Sequence, residues 1–122
     1  MWPMSPDRRS VDALLPLPSA TVHILLSLTD EPRHGYAIIQ DVEERTAGEL
    51  HMSAGTLYRS IARMVEQGLI TEVAKRRTAD DDARRRYYRI TPFGQACARA
   101  EMRRMSELVH FARLRGLSPE TT

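Results

Sequence analysis

One cysteine, Cys97, occurs in 122 residues. A single thiol excludes an intrachain disulfide and fits a reducing compartment. No apolar run approaches the roughly 18 residues that a membrane span requires. The opening "MWPMSPDRRSVD" lacks the apolar stretch of a secretory signal. These absences point to a cytosolic protein with no membrane partner. Lysine is nearly missing too: of 18 basic residues only Lys75 is one, which fits a coding bias more than a function. No glycine-rich loop could cradle a phosphate, and no nucleophile stands with a histidine and an acid in a recognisable order. His23, His34, His51 and His110 are scattered, without ligand spacing. The chain reads as neither an enzyme nor a metal protein, and no cofactor is expected.

What remains is enough for one folded domain. Hydrophobic residues make up 42% and charged residues 28%, the balance of a globular chain rather than a disordered one. No internal repeat is present. Pro3 and Pro6 with mixed charge mark residues 1–12 as a flexible arm. Helical signals begin near residues 11–17 and are interrupted by Pro16 and Pro18. Ser19 can cap a helix through "ATVHILLSL", with Val22, Leu25, Leu26 and Leu28 as core. Asp30, Glu31, Pro32 and Gly35 break it. A second helix follows in "YAIIQDVEERT", with Ile38, Ile39 and Val42 on one side, and Gly48 ends it.

The stretch "MSAGTLYRSIARMVEQGLI", residues 52–70, carries the chemistry. Ser53 is placed as an N-cap and Gly68 as a C-cap. Leu57, Ile61, Met64 and Val65 recur at helical spacing and should pack on the two preceding helices. Thr56, Arg59, Ser60 and Arg63 occupy the other face. Small hydroxyls permit close approach, and arginine can bond phosphate or the acceptor edge of guanine.

Past Gly68 the period changes to two. "LITEV" and "RRYYRIT" are β-branched and aromatic, joined by the charged loop "AKRRTADDDAR". Three helices and then a hairpin is the order of a winged helix, whose third helix enters the DNA major groove with the hairpin beside it. The net charge of +2 conceals an asymmetry. Residues 75–89 hold seven bases and three acids, whereas the rest of the chain holds 11 bases and 13 acids. The basic balance therefore sits on the wing, where phosphate contact requires it.

Thr91 and Pro92 read as an N-cap followed by proline at the first helical position. A long helix to about Arg115 follows. Ala98, Met102, Met105, Val109 and Ala112 recur at intervals of four, three, four and three, a heptad seam. Leu108, Phe111 and Leu114 widen that apolar face. Arg99, Arg103, Arg104, Glu107 and Arg113 form the solvent side. Phe93 and Cys97 can join the helix to its own domain, and Leu14, Leu15 and Leu17 add cover from either subunit.

Three segments resemble the PadR family of bacterial transcriptional regulators: "HGYAIIQDVEERT" at 34–46, "SAGTLYRSIARMVEQGLI" at 53–70 and "RRYYRITPFGQ" at 85–95. The resemblance covers roughly residues 14–115 and is to the short members with a single terminal helix. It implies a homodimeric winged-helix repressor that binds an inverted-repeat operator and is relieved by a small-molecule effector. Two departures stand out. Ala54 replaces the proline common before the "GTLY" glycine, and "TADDDA" replaces a glycine-rich wing tip.

The expected fold is mostly α (α+β), a winged helix-turn-helix with a long C-terminal dimerisation helix. Residues 1–12 form the arm, 13–91 the DNA-binding domain, 92–115 the dimerisation helix and 116–122 a tail. Double-stranded DNA and a second copy of the chain are the expected partners. The DNA-binding set is Ser53, Thr56, Tyr58, Arg59, Ser60, Arg63, Arg76, Arg77, Arg84, Arg85 and Arg86. The dimer set is Leu14, Leu15, Leu17, Ala98, Met102, Met105, Leu108, Val109 and Ala112. The competing reading is a winged-helix adaptor that binds protein without DNA. It requires the face of Thr56, Arg59 and Arg63 to be covered by the domain itself.

Overall fold

A computed structural model describes residues 8–74 and 85–117. Among these, the elements run α1 (Arg8–Leu14), α2 (Ser19–Ser27), β1 (Arg33–His34), α3 (Gly35–Arg45), α4 (Ala54–Glu66), β2 (Ile70–Val73), β3 (Tyr87–Ile90) and α5 (Pro92–Leu114). Helices α2, α3 and α4 pack on one another. Their shared core is Ile24, Leu25, Ile38, Val42, Leu57 and Met64, all fully buried. Each such side chain contributes about 1.5–3 kcal/mol through removal from water, which is what holds α4 in a fixed orientation. The strands form one antiparallel sheet in the order β1-β3-β2, with Ile70 opposite Ile90, Val73 opposite Tyr87 and Arg33 opposite Tyr88. This is a winged helix with a long helix appended. No helix among the described residues is long and apolar enough to cross a membrane.

The junctions explain why the elements stop where they do. Gly68 sits at φ +78°, a left-handed conformation that glycine adopts without a Cβ clash. The Leu69 N–H then reaches back to the Met64 carbonyl at 2.9 Å and the Gly68 N–H to Val65 at 3.1 Å. This paired closure ends α4 and turns the chain into β2. At the far end of the hairpin, the Thr91 hydroxyl accepts the Gly94 N–H at 2.9 Å and donates toward the Gly68 and Leu69 carbonyls. One side chain thus ties the end of α4 to the start of α5. Gly94 is required there, because a Cβ would overlap the Leu69 carbonyl oxygen.

Several expectations are corrected. The arm expected over 1–12 is helical from Arg8, and Val11 is buried in the core. Ser19 does not cap α2. Pro18 holds the cap position, with no side-chain hydrogen bond. Leu26 stands at the surface and Ile24 takes its place in the core. Val65 is 43% exposed rather than packed. At about 100° per residue, Leu57, Ile61 and Met64 fall within a narrow arc while Val65 lies roughly 80° from Leu57. Gly35 does not break a helix but begins α3, and β1 precedes it as a third strand.

Arg104, expected on the solvent side, folds back onto Glu101, which is completely buried. The Glu101 Oε1 accepts from the Leu17 N–H at 3.3 Å and from Arg104 Nε at 3.1 Å, and Oε2 accepts from Arg104 Nη2 at 2.5 Å. The bonds from Arg104, against the opposing effect of burial and with help from the Leu17 N–H, hold this carboxyl below the usual glutamate range. A carboxyl whose folded value is depressed stabilises the fold above its unfolded value and stops doing so as pH falls through the folded one. Glu101→Ala should therefore cost about 3 kcal/mol at neutral pH, an unpaired buried group being the main loss. Urea titrations of both proteins should show that difference shrinking as the pH is lowered below about 4.3, the ordinary glutamate value. A difference that stays constant down to pH ~3 would remove the ion pair from the explanation.

Candidate nucleic-acid interface

The hydroxyl of Ser53 accepts the Thr56 N–H at 3.2 Å and so starts α4 as a true N-cap; it also lies 3.1 Å from Thr56 Oγ1. Its hydroxyl is thus engaged in holding the helix start. Along the helix, Leu57, Ile61 and Met64 point inward, while Arg59 and Arg63 are exposed and Thr56 and Ser60 half-buried. These four polar residues share an arc of about 100°. Arg59, Ala62, Arg63, Glu66 and Gln67 line a shallow open groove along it. Neither arginine has a partner among the described residues. Gly55 lies directly below the Arg59 guanidinium, whose Nη1 would stand 3.4 Å from a Cβ there. The described residues of the domain leave this face uncovered, whereas the adaptor reading requires it to be covered.

Beside α4 lies an open cleft of about 350 Å³, lined by His34, Gly35, Tyr36, Tyr58, Arg85, Arg86 and Tyr88. It joins the recognition-type helix to the base of the wing. Tyr58 lies so close over Gly35 that a Cβ on Gly35 would overlap its hydroxyl. The tyrosine nonetheless remains 52% exposed and Tyr36 59% exposed. His34 caps α3 by accepting the Ala37 N–H at Nδ1. Its Nε2 lies 3.1 Å from the Arg85 guanidinium, and its ring meets the edge of Tyr87 at 5.2 Å. Arg86 stands 3.8 Å from Glu72, both well exposed, a contact of little energetic weight. Tyr58, Arg85 and Arg86 are thus brought to one cleft. Arg76, Arg77 and Arg84, with the aspartates Asp80, Asp81 and Asp82, lie outside the described residues.

Sequence reasoning missed His34 and Tyr36. The signal was present, because a histidine and a tyrosine flank the glycine that opens α3. Their place beside Tyr58 depends on β1 pairing with β3, which a two-residue strand does not announce.

The dimer candidates divide into two groups. Leu17 is buried in the chain's own core, and Leu14, Leu15 and Ala98 are partly buried against it. By contrast Met102 and Met105 are each 37% exposed and Leu108 is 54% exposed, with Val109 and Ala112 half-buried. Phe111 and Leu114 are open as well. The distal half of α5 therefore does not fold back on its own winged helix. Cys97 is fully buried, and burial pushes its thiol up, away from the reactive thiolate.

Comparison with known proteins agrees with this geometry. Transcriptional regulator Rv3488 of Mycobacterium tuberculosis is 34% identical over 87 residues, covering 71% of this chain and 76% of that one. The chain spans 65% of an uncharacterized protein of Lysinibacillus sphaericus that is 33% identical over 73 residues, 60% of this chain. A PadR family transcription regulator from Clostridium difficile superposes with a TM-score of 0.69 at 22% identity, covering 80% of this chain and 97% of that one. Bacillus subtilis PadR in complex with operator DNA gives 0.60 at 17% identity, covering 71% and 48%. The profile of the transcriptional regulator PadR-like family matches residues 24–100, and the chain belongs to that family, as a transcriptional regulator.

Proposed function

We propose that the chain is a homodimeric, sequence-specific DNA-binding repressor whose α4 reads an inverted-repeat operator. The observation that carries this reading is the uncovered face of α4, where Thr56, Ser60, Arg59 and Arg63 stand over a firmly packed inner side. Among the described residues neither arginine has an acidic partner, so no ion pair there must break before DNA is met. Tyr58, Arg85 and Arg86 flank that face and suit phosphate contacts. The operator complex of Bacillus subtilis PadR, a member with the same fold, supports DNA as the partner. The exposed Met102, Met105 and Leu108 supply the surface for a second copy. Two-fold pairing would set two α4 helices about one DNA turn, ~34–36 Å, or a multiple of it, apart. The same apolar seam is where a small-molecule effector would act, through unequal affinity for two spacings of the reading helices. Screening aromatic and cationic compounds for release of DNA tests that part.

The wing contributions are separable from the reading ones. Arg85→Ala and Arg86→Ala should weaken binding to every duplex alike, specific or random. Removing one phosphate-bonding cation should flatten the slope of log affinity against log salt by about 0.9. Anisotropy titrations over a salt series measure it. A slope unchanged in both variants would place the two arginines off the DNA.

A further inference from the structure

The residues that bury α5 against the winged helix are Gly94, Cys97 and Glu101. They follow the helical spacing of a packed face, yet the third is a carboxylate. Beyond Glu101 no described residue of α5 is buried. Glu101 is therefore the last fixed point before the helix leaves its domain. Its partner on the domain side is the N–H of Leu17, in the connection between α1 and α2. Leu17 stands between Pro16 and Pro18, neither of which has an N–H. Leu15 gives its N–H to the Asp12 carbonyl at 3.2 Å, so Leu17 holds the connection's remaining backbone donor, and Glu101 takes it. Arg104, one turn further out, grips the same carboxylate through two nitrogens.

Apolar contacts tolerate sliding and tilting, whereas a charge-assisted hydrogen bond is directional. We propose that Glu101 is a positioning residue that fixes the angle at which α5 leaves the winged helix, and thereby the spacing of operator half-sites that a dimer accepts. The lever is long. From Glu101 to Leu114 the helix continues for about 20 Å, so a tilt of about 10° moves its end by about 3 Å, roughly one base-pair step. Removing one member of a buried ion pair is costly, whereas replacing both members by apolar side chains often leaves stability little changed. Position and stability can therefore be separated by mutation. The inference rests on the dimeric, inverted-repeat reading above.

The test uses the full chain and the tightest duplex that the wild type recovers from a random-sequence pool. That duplex is rebuilt with one or two base pairs inserted or removed at its centre. Glu101→Met/Arg104→Met replaces both members of the pair, keeping volume without the directional contacts. Arg104→Ala, at a partly exposed position, is the second variant should the first not fold. Sedimentation and circular dichroism establish dimer and fold. The wild type should lose about tenfold or more for one base pair of changed spacing, and the variants about threefold or less, with near-equal affinity across the series. Folded, dimeric variants that keep the wild-type optimum and its sharpness would overturn the positioning role. A wild type that is monomeric, or selects no inverted repeat, would overturn the dimer reading and this inference with it.

Discussion

An Arg59→Ala/Arg63→Ala double variant should retain its fold and lose specific DNA binding by about a hundredfold or more. Each arginine that reads a guanine in the major groove discriminates by about 1–3 kcal/mol. The two lie one turn apart on α4, close enough to couple, so the losses need not add. Both are exposed on a helix whose buried side is untouched by the change, so stability should move by less than about 0.5 kcal/mol. The pattern distinguishes reading from mere attraction. Preference among operator sequences should fall more than affinity for random duplex, the reverse of the wing variants. Competition anisotropy with selected and random duplexes gives both numbers. Undiminished specific binding by the double variant would remove α4 from the interface.

Met105→Asp should produce folded monomers. The position is 37% exposed in the single chain, so an aspartate there can stay hydrated while the chain is alone. Across a two-fold seam it would face its own copy, and burying unpaired charges costs about 3–5 kcal/mol. Sedimentation at micromolar concentration should show the shift from dimer to monomer. Operator affinity should drop by about a hundredfold or more, because one reading helix is left with one half-site. A variant that remains dimeric would move the seam elsewhere on α5, toward Phe111 and Leu114. A wild-type monomer that binds its operator tightly would end the dimer reading together with the palindrome.

The parts legible in the sequence are those with periodicity and punctuation. Helix α4 declared itself through Ser53, Gly68 and the spacing of Leu57, Ile61 and Met64. The hairpin did so through the change of period after Gly68. In both, local preference and tertiary packing agree. What stayed hidden depends on distant partners. Strand β1 exists because Arg33 and His34 meet Tyr88 and Tyr87, more than fifty residues away. Two residues cannot show alternation. Helix α1 looked like part of a loose arm because its capture by α5 is a tertiary event. Glu101 was invisible for a different reason. A glutamate on a helix rich in arginine reads as solvent-facing, as Glu107 is, and only the Leu17 N–H and the folded-back Arg104 make burial tolerable. The cleft of His34, Tyr36 and Tyr58 likewise needed the fold, since its walls come from β1, α3, α4 and β3.

Sequencing the duplexes that the full chain recovers from a random-sequence pool is the most direct measurement of whether this regulator reads DNA as a two-fold pair. The expected result is enrichment of an inverted repeat with half-site centres about one turn, ~34–36 Å, or a whole multiple of it, apart, with two chains bound per duplex. Recovered duplexes indistinguishable from the unselected pool, or a single unpaired half-site held by one chain, would contradict it.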